Sequence, residues 1–148
     1  MKLNSIEIFL ASEISAVLVV VLNILIALSS LRDINFFGIA IIIIGELIYG
    51  YNNFAMRGAW SIDVEPKQVL VKSGFFKYIR HPLYLGSAIA SFGIAVCLMS
   101  LPGLIYSIFI VLPYVYFRAK LEEKVLTSTL KGYKEYMKET GMFFPKMR

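Results

Sequence analysis

The sequence predicts an all-α, multi-pass membrane protein with four transmembrane helices, a cytoplasmic loop and a C-terminal amphipathic helix. Hydrophobic residues make up 58% of the 148 residues, and the mean hydropathy is +0.71. Soluble domains are only about 45–50% apolar. The apolar residues gather into four runs, and a helix of roughly 20 apolar residues crosses a bilayer. Basic residues flank these runs and do not enter them, as membrane topology signals do.

The first two runs cover residues 6–31 and 34–56. The connector at Arg32 and Asp33 is so short that we expect these two spans to form a tight antiparallel hairpin. The N-terminal residues lack a small-residue cleavage site behind a short apolar core, so we expect them to lead into the first span. Glu46 lies deep in the second run, where a carboxylate costs about 3 kcal/mol on insertion scales. It is therefore a candidate functional residue, for a structural pairing, a substrate contact or an ion pathway.

A polar loop at residues 57–81 separates the two halves of the chain, and spans at 82–100 and 104–117 follow. Pro82 stands where the third span begins, a position at which proline is tolerated because that N–H would have no helical partner. We expect an uncharged turn at Leu101, Pro102 and Gly103 between the two spans. Beyond them, residues 118–148 form a polar tail.

Positive charge is concentrated on one side of these spans. The tail carries eight of the fifteen Lys and Arg residues, and residues 57–80 carry five more. The positive-inside rule therefore predicts that loop 57–81 and the tail are cytoplasmic. This distribution is that of a topology signal, with binding of anionic lipid headgroups as a secondary role, and it argues against a nucleic-acid partner. With one cysteine, Cys97, and one histidine, His81, we expect no metal site.

The tail also predicts a helix. Leu126, Leu130, Tyr133 and Met137 recur at spacings of four, three and four residues, which is a helical apolar stripe. Gly132 weakens this helix midway. Such an amphipathic helix would lie on the membrane or over the cytoplasmic loop.

Two polar stretches leave the membrane on the same side, GFFKYIRHPLY at 74–84 and RAKLEEKVL at 118–126. On a helix, Arg118 and Glu122 share one face with Tyr114, whereas Glu123 points about 100° away. The pair could be an ordinary surface ion pair. At the mouth of a membrane helix it could instead meet an amphiphilic substrate, with the Arg fork holding a carboxylate. His81, in an Arg-His-Pro-x-Tyr run, is either structural or a ligand contact.

Taken in order, four parts resemble the isoprenylcysteine carboxyl methyltransferase family, which is related to the membrane phospholipid methyltransferases. They are QVLVKSGFFKYIRHPLY (68–84), an apolar helical hairpin, RAKLEEKVL (118–126) and GYKEYMKETGMFFPK (132–146). The resemblance implies S-adenosylmethionine as methyl donor, in a pocket built from the segment before the third span and the final helix. It assigns Arg118 to the substrate carboxylate and makes Arg118 and Glu122 the catalytic pair. The donor contacts that it implies are Gln68, Val69, Leu70, Val71, Phe76, His81, Pro82, Leu83, Tyr84 and Glu122. The family often has His at position 68 and Tyr at position 76.

The resemblance implies that residues 1–148 form one integral membrane methyltransferase domain. Its substrate would be the carboxylate of an isoprenylcysteine-like or other lipid-like molecule. The sulfonium methyl of the donor is already a good electrophile, so no metal is needed, and a carboxylate is ionised at neutral pH, so its methylation needs no general base. Methylation of an aminophospholipid is an alternative, although Glu122 would then have to take a proton and Arg118 would repel the ammonium. A small four-span transporter using Glu46 and a non-catalytic membrane scaffold are further alternatives.

Overall fold

The computed structural model describes residues 5–56 and 70–146, with side chains from Ile14 onward. These residues form five α-helices and no strand, which confirms the all-α class. The helices are α1 (Ser5–Ser29), α2 (Phe36–Met56), α3 (Pro82–Cys97), α4 (Leu101–Thr129) and α5 (Tyr133–Glu139), with a 3₁₀ turn at Gly74–Lys77. Most of the predicted polar loop, including Gln68 and Val69, lies outside the described residues.

Within the described part of the chain, α2 and α4 are long and apolar enough to cross a membrane. The segments Ile14–Ser29 and Pro82–Cys97 are shorter apolar helices. Large apolar side chains cover the outside of α2 and α4, for example Phe36, Leu47 and Phe109. An apolar exterior of this kind suits a lipid environment. The four-span topology stays a prediction.

Helices α2 and α3 lie backbone to backbone because glycines line their contact. A Cβ atom placed on Gly38 would overlap the backbone of Cys97. One on Gly45 would lie 2.7 Å from the Gly86 carbonyl oxygen, and one on Gly86 would lie 2.8 Å from the Tyr49 nitrogen. Small residues allow this close approach between membrane helices. The glycines thus fix the antiparallel register of the pair.

The expected hairpin between the first two helices was wrong. Helix α1 packs against α3 and α4, whereas α2 packs against α3, so that α3 lies between α1 and α2. The short connector crosses the end of α3, where Arg32 N–H donates to the Leu98 carbonyl (3.5 Å) and Asn35 N–H to that of Cys97 (2.7 Å). Adjacency in sequence misled here because the glycine contacts of α2 select α3 as its neighbour.

The turn between α3 and α4 lies three residues earlier than expected. Helix α3 ends at Cys97, and α4 already begins at Leu101. Ser100 is the N-cap of α4, since its Oγ accepts a hydrogen bond from Gly103 N–H at 3.0 Å. Pro102 fits the first helical turn for the same reason as Pro82 does. The expected turn at residues 101–103 was therefore wrong, and a serine cap explains it.

The tail is not one helix. Helix α4 runs without interruption from the fourth predicted span into the tail, and it contains a π-helical stretch at Ser107–Val111. Leu130 leaves the helix in an extended conformation, and Gly132 takes a φ of 84° before α5 begins. The Thr127 hydroxyl lies 3.6 Å from the Met137 sulfur, so α5 folds back onto α4. The left-handed backbone that glycine permits makes this reversal possible.

Candidate active site

Three segments meet at one end of the helix bundle: the start of α3, the second half of α4 and the residues that follow α5. The backbone joins two of them. Arg80 N–H donates to the Gly141 carbonyl (2.9 Å), His81 N–H to that of Met142 (3.1 Å), and Gly141 N–H to that of Tyr78 (3.1 Å). These bonds hold the C-terminal segment beside the first turn of α3.

A buried ion pair joins the same segments to α4. Arg80 Nε donates to Glu123 Oε1 at 2.6 Å, and both side chains are only 9% exposed. The Arg80 guanidinium also donates to the carbonyl oxygens of Met137 (3.4 Å) and Thr140. One side chain thus links loop, helix and tail. Removing one partner of such a pair leaves an uncompensated buried charge.

Glu123 belongs to this site. The sequence analysis assigned the site to the helix face of Glu122 and therefore missed Glu123. The missed signal lies in the apolar residues of α4. Val111, Val115 and Ala119 are spaced by four and are buried, and Glu123 is the next member of that row. A carboxylate at the end of a buried row requires a buried cation or donor nearby, and Arg80 and His81 supply both.

Tyr84 stands between the two residues that were expected to form the catalytic pair. Its hydroxyl donates to Glu122 Oε2 at 2.7 Å and accepts from Arg118 Nε at 2.9 Å. Arg118 Nη1 also donates to the Tyr114 hydroxyl at 3.3 Å. The Arg118 guanidinium carbon lies 5.3 Å from the centre of the Tyr84 ring. Two phenols therefore orient the guanidinium of Arg118.

His81 touches both carboxylates of α4. Its Nε2 lies 3.2 Å from Glu123 Oε1 and donates there, since an ionised carboxylate only accepts. Its Nδ1 lies 3.9 Å from Glu122 Oε2. The ring stacks on Tyr84 with an interplanar angle of 1° and a centroid distance of 5.4 Å, and Phe143 lies at 6.1 Å. His81 is the N-cap residue of α3, but its side chain makes no capping hydrogen bond.

Exposure separates the two carboxylates. The Glu122 side chain is 43% exposed, whereas those of Glu123 and His81 are 9% and 4% exposed. Arg118 and Tyr84 are half-buried. A ligand can therefore reach Glu122, Tyr84 and Arg118, while Glu123 and Arg80 hold the site together from behind. The accessible face offers a cation and an anion on either side of one phenol.

Five of the other expected donor contacts lie in the described part of the chain, whereas Gln68 and Val69 lie outside it. Pro82 and Leu83 form the first turn of α3, Leu70 and Val71 are half-buried ahead of the 3₁₀ turn, and Phe76 is buried within that turn. The Phe76 carbonyl accepts a hydrogen bond of 2.5 Å from the Tyr136 hydroxyl. Burial raises the pKa of Tyr136 to about 12, so this hydroxyl remains a hydrogen-bond donor in alkaline solution as well.

The family model for phospholipid methyltransferases matches residues 11–133 of the chain. The chain belongs to the phospholipid methyltransferase family. The sequence resemblance to this group of enzymes is thereby confirmed. The match spans α1 to α4 and includes His81, Tyr84, Arg118 and Glu122. Together with two helices able to cross a membrane, family membership supports a membrane-bound methyltransferase.

Two curated proteins are similar to parts of this family member. Over 89 residues it is 35% identical to a methanethiol S-methyltransferase from Pseudomonas sp., covering 60% of this chain and 33% of that protein. Over 82 residues it is 33% identical to a protein-S-isoprenylcysteine O-methyltransferase from Saccharomyces cerevisiae, covering 55% of this chain and 34% of that protein. The chain thus spans about a third of the length of these relatives. No solved structure matches it.

Proposed function

We propose that this chain transfers a methyl group from S-adenosylmethionine to an anionic group of a lipid-like substrate at the membrane interface. The carboxylate of an isoprenylcysteine-like molecule is the acceptor that fits best. The observation that carries this proposal is the arrangement of Arg118 and Glu122 on either side of the Tyr84 hydroxyl. It offers opposite charges to two ligands at the edge of an apolar helix bundle.

The residues at the start of α3 suit the chemistry of the proposed donor, which carries a carboxylate, an ammonium group and a flat purine. The N-terminus of α3 has no side-chain cap, and backbone N–H groups there favour a carboxylate. The exposed carboxylate of Glu122 suits an ammonium group. Tyr84 and Phe143, which lie beside the buried His81 ring, present aromatic surface, on which a purine stacks.

The remaining contacts in this proposal come from the family resemblance, namely Gln68, Val69, Leu70, Val71, Phe76, Pro82 and Leu83. When bound, S-adenosylmethionine supplies a methyl group on a positively charged sulfur, which is already electrophilic. The chain itself then has to bind the two reactants, orient them and exclude water. Holding two reactants in line contributes much of the rate of such a reaction.

Arg118 serves the acceptor in this mechanism. Tyr84 and Tyr114 fix its guanidinium, so that little side-chain freedom is lost when a carboxylate binds. The carboxylate arrives ionised and needs no general base. Exclusion of water by the surrounding apolar helices keeps it reactive. The lipid part of the substrate would lie against those helices.

Other acceptors differ in what they require of these residues. A thiolate, suggested by the methanethiol S-methyltransferase relative, would use the same cation. An aminophospholipid would need Glu122 as a base and would meet repulsion from Arg118. Transport through Glu46 has less support, because that residue lies on the exposed side of α2 and not between the described helices.

The test is donor binding by calorimetry on the detergent-purified chain, followed by transfer of labelled methyl to three acceptors: a farnesylated cysteine, phosphatidylethanolamine and an alkanethiol. We expect Glu122→Ala to weaken donor binding about tenfold or more, as loss of a charged hydrogen bond does. His81→Ala should weaken donor binding because Tyr84 loses the ring on which it stacks. Arg118→Ala should spare donor binding and abolish transfer to the carboxylate. Glu135→Ala, an exposed carboxylate of α5, is the matched control. A folded wild-type chain that binds no donor, with or without lipid, would sink the proposal.

A further inference from the structure

Helix α1 reaches the candidate active site through a side-chain hydrogen bond. Ser15 Oγ lies 2.6 Å from the Tyr114 hydroxyl of α4, and both residues are half-buried. Arg118 Nη1 donates to the same hydroxyl at 3.3 Å. A guanidinium only donates, so the Tyr114 oxygen accepts from Arg118 and the phenol proton can go to Ser15 Oγ. Side chains from two helices thus form a chain of hydrogen bonds that ends at the proposed acceptor-binding cation.

A second polar contact of α1 fixes the height of Ser15 beside Tyr114. About two turns further along α1, Asn23 is fully buried, donates to the Ser91 carbonyl at 2.9 Å and accepts from the Ser107 hydroxyl at 3.3 Å. Ser107 lies about two turns before Tyr114 on α4, so one antiparallel register of α1 and α4 satisfies both contacts.

The face of α1 that carries Ser15 is the one that packs into the bundle. Ser15, Val19, Asn23 and Ala27 are spaced by four residues, which is one helix face. Val19 packs against the apolar core, and Asn23 and Ala27 are fully buried. We therefore expect α1 to stay in place when the Ser15 hydroxyl is removed, because the rest of this row remains.

We propose that Ser15 is a positioning residue for methyl transfer, which holds the Arg118 guanidinium through Tyr114. Its consequence for catalysis rests on the proposed function, because that proposal assigns the acceptor to Arg118. By accepting the phenol proton, Ser15 keeps a lone pair of Tyr114 directed at Arg118. The acceptor carboxylate then meets a guanidinium that Tyr84 and Tyr114 both hold. Helix α1, which carries none of the motifs of the family resemblance, thus contributes to the acceptor half of the site.

The first experiment observes the Arg118 guanidinium itself, by nitrogen-15 NMR of arginine side chains in detergent micelles. The signal is assigned by its absence in Arg118→Lys. Hydrogen bonds slow rotation about the Nε–Cζ bond, and we expect Ser15→Ala to speed this rotation about threefold to tenfold, as loss of one neutral hydrogen bond does. Ser15→Thr keeps the hydroxyl and should stay within about twofold of wild type. Ser29→Ala removes a hydroxyl of the same helix that donates to the Ile26 carbonyl, and it should have no effect.

The second experiment measures transfer of labelled methyl to a farnesylated cysteine at saturating donor. Ser15→Ala should lower kcat/KM for this acceptor about threefold to tenfold and leave the Kd of the donor unchanged. In a Tyr114→Phe background, Ser15→Ala should have no further effect, because the phenol through which Ser15 acts is gone. Contacts that act through one another give such non-additive double variants.

Unchanged rotation of Arg118 in Ser15→Ala overturns the inference, whatever the chain methylates. So does a Ser15→Ala chain with the wild-type kcat/KM, a loss of donor affinity equal to the loss of kcat/KM, or a double variant in which the two losses multiply. A wild-type chain that methylates none of the three acceptors contradicts the proposed function alone, because the NMR measurement needs neither donor nor acceptor.

Discussion

Arg118 and Glu122 are both hydrogen-bonded to the hydroxyl group of Tyr84. This hydroxyl accepts from Arg118 Nε at 2.9 Å and donates to Glu122 Oε2 at 2.7 Å. Helical spacing places the two charges on one face of α4, but it does not reveal that a residue from α3 lies between them. This phenol couples the proposed acceptor-binding cation to the proposed donor-binding carboxylate. The coupling is the part of the site that is easiest to disrupt without disturbing the fold.

Tyr84→Phe should lower methyl transfer while leaving the fold intact. The ring that stacks on His81 remains, but the hydroxyl that orients Arg118 and Glu122 is lost. We expect kcat/KM to fall about ten- to a hundredfold, since misplaced reacting groups are costly, with a melting midpoint close to wild type. Steady-state kinetics and thermal unfolding in the same detergent measure both. Tyr116→Phe, an exposed tyrosine of α4, is the control. Unchanged kinetics in Tyr84→Phe would mean that the phenol has no orienting role.

Glu122→Ala and Glu123→Ala should have opposite consequences although the residues are neighbours. Glu123 is buried against Arg80, and loss of one partner of such a pair costs about 3–5 kcal/mol. Glu123→Ala should therefore lower the melting midpoint strongly. Glu122 is largely exposed, so Glu122→Ala should keep the midpoint and lose donor binding. Thermal unfolding and calorimetry on both variants decide this. Equal destabilisation of the two would contradict the division between an accessible and a buried carboxylate.

On α2, Gly38→Val should disrupt the fold, whereas Gly50→Ala should not. A side chain at position 38 would overlap the Cys97 backbone, whereas position 50 is open. We expect Gly38→Val to separate α2 from α3 and to give little folded protein. Gly50→Ala should fold at least as stably as wild type, because alanine favours a helix by about 1 kcal/mol over glycine. Yield of monodisperse protein after detergent extraction measures the difference. A well-folded Gly38→Val would show that the close α2–α3 contact is absent in solution.

The buried phenol of Tyr136 should make the tail sensitive to alkaline pH. Burial raises its pKa to about 12, compared with about 10 for an unfolded tyrosine. The folded chain therefore holds this proton more tightly, and the resulting stability is fully present below pH 10 and is lost as pH rises toward 12. Tyr136→Phe should show a shallower decline of the melting midpoint over that interval than wild type. Parallel curves for the two proteins would exclude Tyr136 as a cause.

The sequence predicted the all-α class and the start of α3 at Pro82, because apolar length and proline placement are local signals. It misplaced the turn before α4 because the Ser100 cap was overlooked beside a proline and a glycine. It also predicted that α1 packs against α2, because the two are neighbours in sequence. Proximity in sequence does not show which helix has the glycines that allow close packing. The prediction of a single tail helix was wrong at Gly132, whose left-handed backbone conformation reverses the direction of the chain.

The contacts within the candidate site were predictable only in part for a similar reason, and the roles of its residues stay predictions. Arg118 and Glu122 follow from helical spacing, and His81 follows from its unusual motif. The contacts of Arg80 with Glu123 and with the Met137 and Thr140 carbonyls depend on how the tail folds back. Such long-range partners are not encoded in any local spacing. The buried row ending at Glu123 was the one local sign of them.

The backbone bonds from Arg80 and His81 to Gly141 and Met142 have a consequence for biosynthesis. A ribosome makes residues 141 and 142 after every helix described here has been synthesised. During translation, His81 therefore lacks its backbone partner until a segment some sixty residues later (141 − 81 = 60) has been synthesised. A nascent chain whose helices have all been synthesised still lacks the backbone hydrogen bonds that hold this histidine in place. These backbone contacts at the start of α3 thus form only after synthesis has passed residue 142.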